Sequence, residues 1–264
     1  MSVESARFSS LERLIGRDAV LTLASAHVCI IGVGGVGSWT VESLARSGTG
    51  KLTLIDMDDV CLTNINRQIH AVTDSIGRPK IHALADRIQL INPDCKVVPV
   101  YEFLTPGNAE RLLPSDAAYI VDATDRMSVK AAILAQARVL GVPALTIGSA
   151  GGKVDPQRVR AMDLSTVGKD ELLRQVRRKL RKDYGWEKGE GNHYGVKAVV
   201  SDEPLRFPWP DGTVRGEPPD ASCNLRMDCA TGFGAAAHVT GVFGLIAAGE
   251  VIRDVTAGEC RTVG

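Results

Sequence analysis

Asn66, Arg67 and Gln68 stand together in LTNINRQIH, and Lys80 follows in GRPK. Farther along, VDATD supplies Asp122 and Asp125. Two cations, two amides and two carboxylates suit the transfer of a nucleotidyl group. Cations neutralise a triphosphate as charge shifts onto the leaving pyrophosphate, and a carboxylate holds magnesium. Singly, each residue has a plainer use: Arg67 and Lys80 as surface cations, Asp125 as the cap of a following helix. The chemistry therefore depends on elements that bring all of them to one place.

The first such element is IIGVGGVGSW, directly after the apolar run His27-Val28-Cys29. Gly32, Gly34 and Gly37 satisfy the G-x-G-x-x-G spacing. Gly32 permits a tight turn, and Gly34 with Gly35 lets a phosphate approach the backbone. Gly37 lets the next helix pack near the strand, with an N-terminus that favours an anion. Asp56 falls nineteen residues after Gly37, at the end of KLTLI, where an acid accepts hydrogen bonds from ribose hydroxyls. Asp58 and Asp59 follow, and a solvated acidic turn accounts for them equally well. The glycines and Asp56 admit a nicotinamide dinucleotide as readily as ATP. The downstream cations favour the triphosphate, because hydride transfer does not need so many charges around phosphate.

Helical periodicity runs through LERLIGRDAVLTLASA, then HVCIIGV reads as a strand and Ser38 to Ser47 as a helix. KLTLIDMD is a second strand, Ile76 to Ile91 a helix, KVVPVYEF a third strand and Ala117 to Asp122 a fourth. Arg126 to Leu140 is helical, and VPALTIGSA a fifth strand. This alternation predicts an α/β fold: a doubly wound, mainly parallel, Rossmann-like sheet with ligands at the carboxyl ends of its strands. After Gly152 the pattern changes to a basic helix, RQVRRKLRKDYGW (174–186), and a proline-rich stretch from Pro204 to Asp220. The expected division is an N-terminal helical segment (1–25), a nucleotide-binding core (26–152) and a loop-rich C-terminal platform with an apolar helix (153–264).

Composition excludes some classes. Acidic and basic residues balance at 31 each, so no global field draws nucleic acid or membrane, and local patches must do so. The cysteines (29, 61, 95, 223, 229, 260) form no C-x-x-C pair, which argues against a four-cysteine zinc site. With no secretory signal, they point to a reduced, cytoplasmic protein. Ala230 to Gly249 lacks Asp, Glu, Lys and Arg and is long enough to cross a bilayer. Its glycines and threonines instead suggest a buried helix packed through small residues, with peripheral inner-membrane association as the alternative.

In order, G-x-G-G-x-G, D-x-D-x-V, N-x-N-R-Q, R-P-K and D-x-x-D resemble the ubiquitin-activating-enzyme superfamily that includes ThiF and MoeB. Longer stretches (LIDMDDVCLTNINRQIHA, IQLINPDC, SAGGKVDP, RMDCATGFGAA) are similar to its dehydratase branch, which acts on N6-threonylcarbamoyladenosine in tRNA. The likeness runs from ERLIG onward. It implies adenylation of the threonyl carboxylate with ATP and Mg2+, then closure of a ring by the neighbouring carbamoyl group. It also implies roles: Gly34, Gly35 and Gly37 around the phosphates; Asp56 at the ribose; Asn66, Arg67 and Lys80 on the triphosphate; Asp122 near magnesium; and Gly32, Asp58, Gln68 and Asp125 as further nucleotide-binding residues. Arg13 would reach a partner subunit's site, implying a homodimer; otherwise it is a surface arginine.

The missing zinc cysteines fit the dehydratase branch. Cys229 invites a sulfur relay with a cysteine desulfurase and its sulfur acceptor, although its apolar setting suits an inert core thiol. Arg174, Arg177, Arg178, Lys179, Arg181 and Lys182 would neutralise tRNA phosphates or form a solvated helix face. Tyr184, Trp186 and Tyr194 would offer stacking platforms. SAGGKVDP would supply backbone oxygens to a K+ or Na+ ion. The rival readings are adenylation of a ubiquitin-like sulfur carrier's C-terminus, an NAD-dependent oxidoreductase, and a non-catalytic nucleotide-binding scaffold.

Overall fold

Gly16 interrupts the N-terminal periodic segment: with φ at 91° it separates α1 (Ser9–Ile15) from α2 (Arg17–Ser25). The computed structural model describes residues 6–187, 193–219 and 233–257. Strand β1 (His27–Ile31) follows, then α3 (Gly37–Arg46), β2 (Lys51–Ile55), α4 (Lys80–Ile91) and β3 (Lys96–Val100). Next come α5 (Ala109–Leu112), β4 (Tyr119–Asp122), α6 (Met127–Leu140), β5 (Ala144–Ile147) and β6 (Val159–Asp163). The chain continues through α7 (Glu171–Tyr184), β7 (Lys197–Ser201), the short pair β8 (Phe207–Pro208) and β9 (Val214–Arg215), and α8 (Ala237–Thr256).

Seven strands share one sheet in the order β3-β2-β1-β4-β5-β7-β6, parallel throughout except for β6 against β7. Every residue of β1, β4 and β5 is buried, as expected of a parallel sheet covered on both faces. Alternation along β1 sorts the core. Cys29 and Ile31 join Ile133 of α6 and Leu173, Val176 and Leu180 of α7, whereas Val28 and Ile30 join Leu44 of α3, Leu84 of α4 and Phe243 of α8. The strand order switches direction between β1 and β4, which opens the ligand crevice of a doubly wound sheet at their carboxyl ends.

The C-terminal part is less separate than its loop-rich sequence suggests. VRAMD and KAVVS form β6 and β7 and extend the same sheet, so the expected boundary at residue 152 runs through one fold. Helix α8 packs directly on α3. A Cβ on Gly244 would lie 2.6 Å from both Trp39 Cβ and Val36 O, and Thr40 Oγ1 donates to Gly244 O at 3.2 Å. Small residues on the apolar helix thus serve close helix contact. Among the described residues, no helix is long and apolar enough to cross a membrane.

Candidate active site

The glycine turn is built from steric necessity at two positions. Gly32 has φ at 82°, and a Cβ there would stand 2.9 Å from Ala123 O. A Cβ on Gly37 would fall 1.9 Å from Gly32 O, so only glycine lets α3 begin this close to the turn. At Gly34 and Gly35, by contrast, the nearest atoms are 3.8 and 3.5 Å from an added Cβ, and both glycines border a cleft of about 620 Å³.

The elements behind that turn bring most of the expected residues to the same cleft. Asp56, Asp58, Asn66, Arg67, Gln68, Lys80 and Asp125 all line it, with Gly32, Gly34 and Gly35. Asp56 follows β2 and is anchored by two backbone donors: Val33 N–H to Oδ2 at 2.8 Å and Asp58 N–H to Oδ1 at 2.9 Å. Burial raises its carboxyl pKa above the usual carboxylate range, opposed by Lys80 and those two N–H groups. Lys80, the first residue of α4, is 6% exposed, and its Nζ donates to Asp58 Oδ2 at 2.7 Å. Its charge is therefore held in the cleft wall rather than swung into solvent.

Arg67 is fixed from several directions. Its Nη1 donates to Thr63 O at 2.6 Å and to Asn66 Oδ1 at 3.1 Å. Its carbonyl accepts from Trp39 Nε1 at 3.0 Å and from Thr240 Oγ1 at 3.2 Å. Asn66 Nδ2 reaches Ala235 O at 2.7 Å, so the start of α8 and the arginine loop brace each other. Gln68 is 5% exposed, and its Oε1 is buried without a partner among the described residues. Two residues on, His70 is also buried with neither ring nitrogen partnered there. Burial first, then the nearby Lys80 and Arg87 cations, push its pKa down to about 4.

Asp122 requires a correction. It ends β4 with no exposure, and the cleft does not reach it. Its Oδ1 accepts from Thr124 N–H (3.1 Å) and Thr124 Oγ1 (2.7 Å); its Oδ2 accepts from Thr146 Oγ1 (2.6 Å) and Lys130 Nζ (3.1 Å). An ionised carboxylate has about four acceptor sites, and all are used, so none remains for a metal ion. The cleft-facing carboxylate of VDATD is Asp125, which is exposed and has no ion-pair partner among the described residues. Asp122 and Lys130 instead form a buried pair beneath the turn that carries it.

Other expectations separate in the same way. Arg13 is exposed on α1 and does not line its own chain's cleft. On α7, Arg174 pairs with Glu171, Lys179 with Asp183, and Arg177 donates to Leu164 O. Arg178, Arg181 and Lys182 have no acidic partner among the described residues. Trp186 is no stacking platform: it is 4% exposed, meets Tyr194 edge-on at 4.9 Å and lies under the Arg138 guanidinium. Tyr194 is half-buried beside it, which leaves Tyr184 as the exposed ring of the three. Lys153, in the middle of SAGGKVDP, is buried and its ammonium donates to Ser201 O at 2.8 Å. Cys229 lies outside the described residues.

Sequence reading missed the stretch Glu102–Leu104 and Thr240 on the cleft wall, and the buried residues Lys130 and Asp170 behind it. Lys130 carried one usable signal: the sequence places a lysine among apolar residues of α6.

The sequence model described as the ThiF family matches residues 8–261. The chain is 44% identical over 255 residues to the tRNA threonylcarbamoyladenosine dehydratase of Escherichia coli (strain K12), covering 97% of this chain and 95% of that protein. Among solved structures it resembles the E. coli tRNA N6-threonylcarbamoyladenosine dehydratase in complex with ATP, with a TM-score of 0.86 and 38% identity over 99% of this chain and 98% of that one. The AMP complex of that protein gives the same TM-score of 0.86, identity of 38% and coverage of 99% and 98%.

Proposed function

This chain belongs to the ThiF family, and we propose that it uses ATP to dehydrate N6-threonylcarbamoyladenosine in tRNA to the cyclic form. The observation that carries this reading is the likeness to a dehydratase over nearly the whole of both chains, with Arg67 and Lys80 set against an open glycine turn in one cleft. A threonyl carboxylate oxygen attacks the α-phosphorus of ATP and pyrophosphate leaves. The neighbouring carbamoyl group then attacks the activated carbonyl and AMP leaves with the former carboxylate oxygen. The nucleoside loses the mass of one water. Ring closure is intramolecular, so positioning replaces a protein nucleophile.

In this scheme the Gly34–Gly35 turn and the α3 N-terminus receive phosphate, and Asp56 accepts from the ribose. Arg67 and Lys80 offset the charge that moves toward pyrophosphate. Mg2+ takes oxygen ligands, typically one or two carboxylates with phosphate oxygens. Asp125 fits that donor set and Asp122 does not; with the ion bound, the metal supplies further charge neutralisation. Backbone oxygens of the SAGGKVDP segment would hold a K+ or Na+ ion. Transfer of sulfur has no part in this reaction, so a desulfurase or sulfur acceptor would not be a catalytic partner.

Arg13 serves a second copy in the homodimer reading, since it does not line its own chain's cleft. Mixing inactive Arg13→Ala and Lys80→Ala chains would then restore part of the activity by forming one intact site per heterodimer; no recovery excludes the shared site. Arg178, Arg181 and Lys182 of α7 receive tRNA phosphates, and the enzyme works in the cytoplasm with its substrate. The main test incubates the chain with ATP, Mg2+ and tRNA bearing threonylcarbamoyladenosine, followed by mass spectrometry of the nucleosides. Loss of one water's mass is expected. An unchanged nucleoside refutes the reaction.

A further inference from the structure

One carboxylate joins the basic helix to the wall of the cleft. The wall after β5 is Gly148–Gly151, and the residue capping α7 is Asp170, 4% exposed. Asp170 Oδ2 accepts Ser149 N–H at 2.8 Å, and Oδ1 accepts Leu173 N–H at 2.9 Å in the first turn of the helix. The fit is tight: a Cβ on Gly148 would stand 2.3 Å from Oδ2 and 3.0 Å from Cγ. Leu172, in that same turn, also lines the cleft. With a rise of about 1.5 Å per residue, Arg178 lies about 9 Å and Lys182 about 15 Å along the helix from Leu172. The cations therefore run away from the cleft on the element whose start helps to form it.

The wall has its own recognition chemistry. Ala150 and Gly151 are buried there, and among the described residues their N–H groups meet no protein acceptor. Buried N–H groups require partners, and an anion in the cleft would provide one. Where such donors stabilise developing charge, a misplacement of about 1 Å can cost about 10²-fold in rate.

We infer that Asp170 is a positioning residue that ties tRNA seated on α7 to the Gly148–Gly151 wall, where the substrate carboxylate is received. The inference rests on the tRNA reading above. Both bonds belong to one rigid carboxylate, so displacement of the first helical turn is passed to the wall.

Two variants separate this role from simple capping. Asp170→Ser retains a good cap for Leu173 but is too short to hold Ser149 as well. Gly148→Ala leaves the aspartate and drives its carboxylate away from Ser149. In both, kcat with saturating ATP and tRNA falls at least tenfold while KM for ATP and Kd for tRNA stay within twofold. Hydrogen exchange across residues 145–152 slows on tRNA binding in the wild type and is unaffected in Asp170→Ser. The inference is overturned if both variants keep kcat within twofold, if ATP and tRNA affinity fall in step with kcat, or if tRNA leaves wild-type exchange unchanged. A wild type that binds tRNA yet leaves its nucleoside unaltered refutes only the reaction, and the exchange measurement still decides the coupling.

Discussion

Replacing Lys130 by Met removes the ammonium from a pair in which neither side chain has any exposure and Nζ stands 3.1 Å from Asp122 Oδ2. Methionine fills a similar volume, so the main effect is a buried carboxylate left without its counter-charge. Breaking such a pair costs about 3–5 kcal/mol. Thr124 and Thr146 still donate to Asp122, which places the expected loss near the lower end, about 3 kcal/mol. That is a large share of a domain stability of about 5–15 kcal/mol. With a urea dependence of about 3 kcal/mol per molar for a chain of this size, the unfolding midpoint drops by about 1 M. Asp122→Asn combined with Lys130→Met removes both charges and should recover most of the loss. Equilibrium urea unfolding, followed by circular dichroism, measures all three proteins. A single variant with a midpoint within about 0.2 M of wild type, or a double variant weaker than the single, would refute the reasoning.

Lys80→Ala should lower pyrophosphate release about 10²–10³-fold, the usual cost of removing one donor to developing charge; turnover within tenfold of wild type would show that the triphosphate lies elsewhere. Reversing Arg178 and Arg181 to Glu should weaken tRNA binding and make the log–log salt dependence shallower by about 2, roughly one per lost phosphate contact; an unchanged slope in filter binding removes α7 from the interface. His70 is held near pKa 4 by burial and nearby cations, against an ordinary value of about 6.5. The unfolded chain therefore takes up a proton first as pH falls. Stability present above about pH 6.5 is lost toward pH 4, by about 3 kcal/mol, and His70→Gln should flatten that profile in urea titrations at stepped pH.

The cleft was largely legible because its glycines and Asp56 sit just past strand ends and the Asn66–Lys80 run fills the connection from β2 into α4, where local spacing and position in the fold coincide. Asp122 against Asp125 was not legible in the same way. Both belong to one short motif, and which carboxylate meets the cleft is decided by Lys130 and Thr146, which approach from α6 and β5. Trp186 shows a similar limit: a glycine-rich, polar neighbourhood suggested an exposed ring, yet Arg138 and Tyr194 close over it. Strand β6 was hidden because VRAMD lies at the sheet edge and is only partly buried. Asp170 caps α7 through Leu173, a local bond, but its second bond is to a residue 21 positions away.

Helix α8 gives the chain an order of completion. Residues 237–256 lie against α3, their Thr240 holds the carbonyl of Arg67, and Ala235 just ahead of them holds Asn66. The cleft is thus braced by segments 169 and 173 residues apart in the chain. During synthesis, chains emerge N-terminus first at about 5–20 residues per second, and the glycine turn leaves the ribosome long before its brace. A nascent chain carrying every residue proposed to meet phosphate would still lack the packing that holds Arg67 in place. Bracing of the Arg67 loop therefore waits for residues 235–256 to be made and packed.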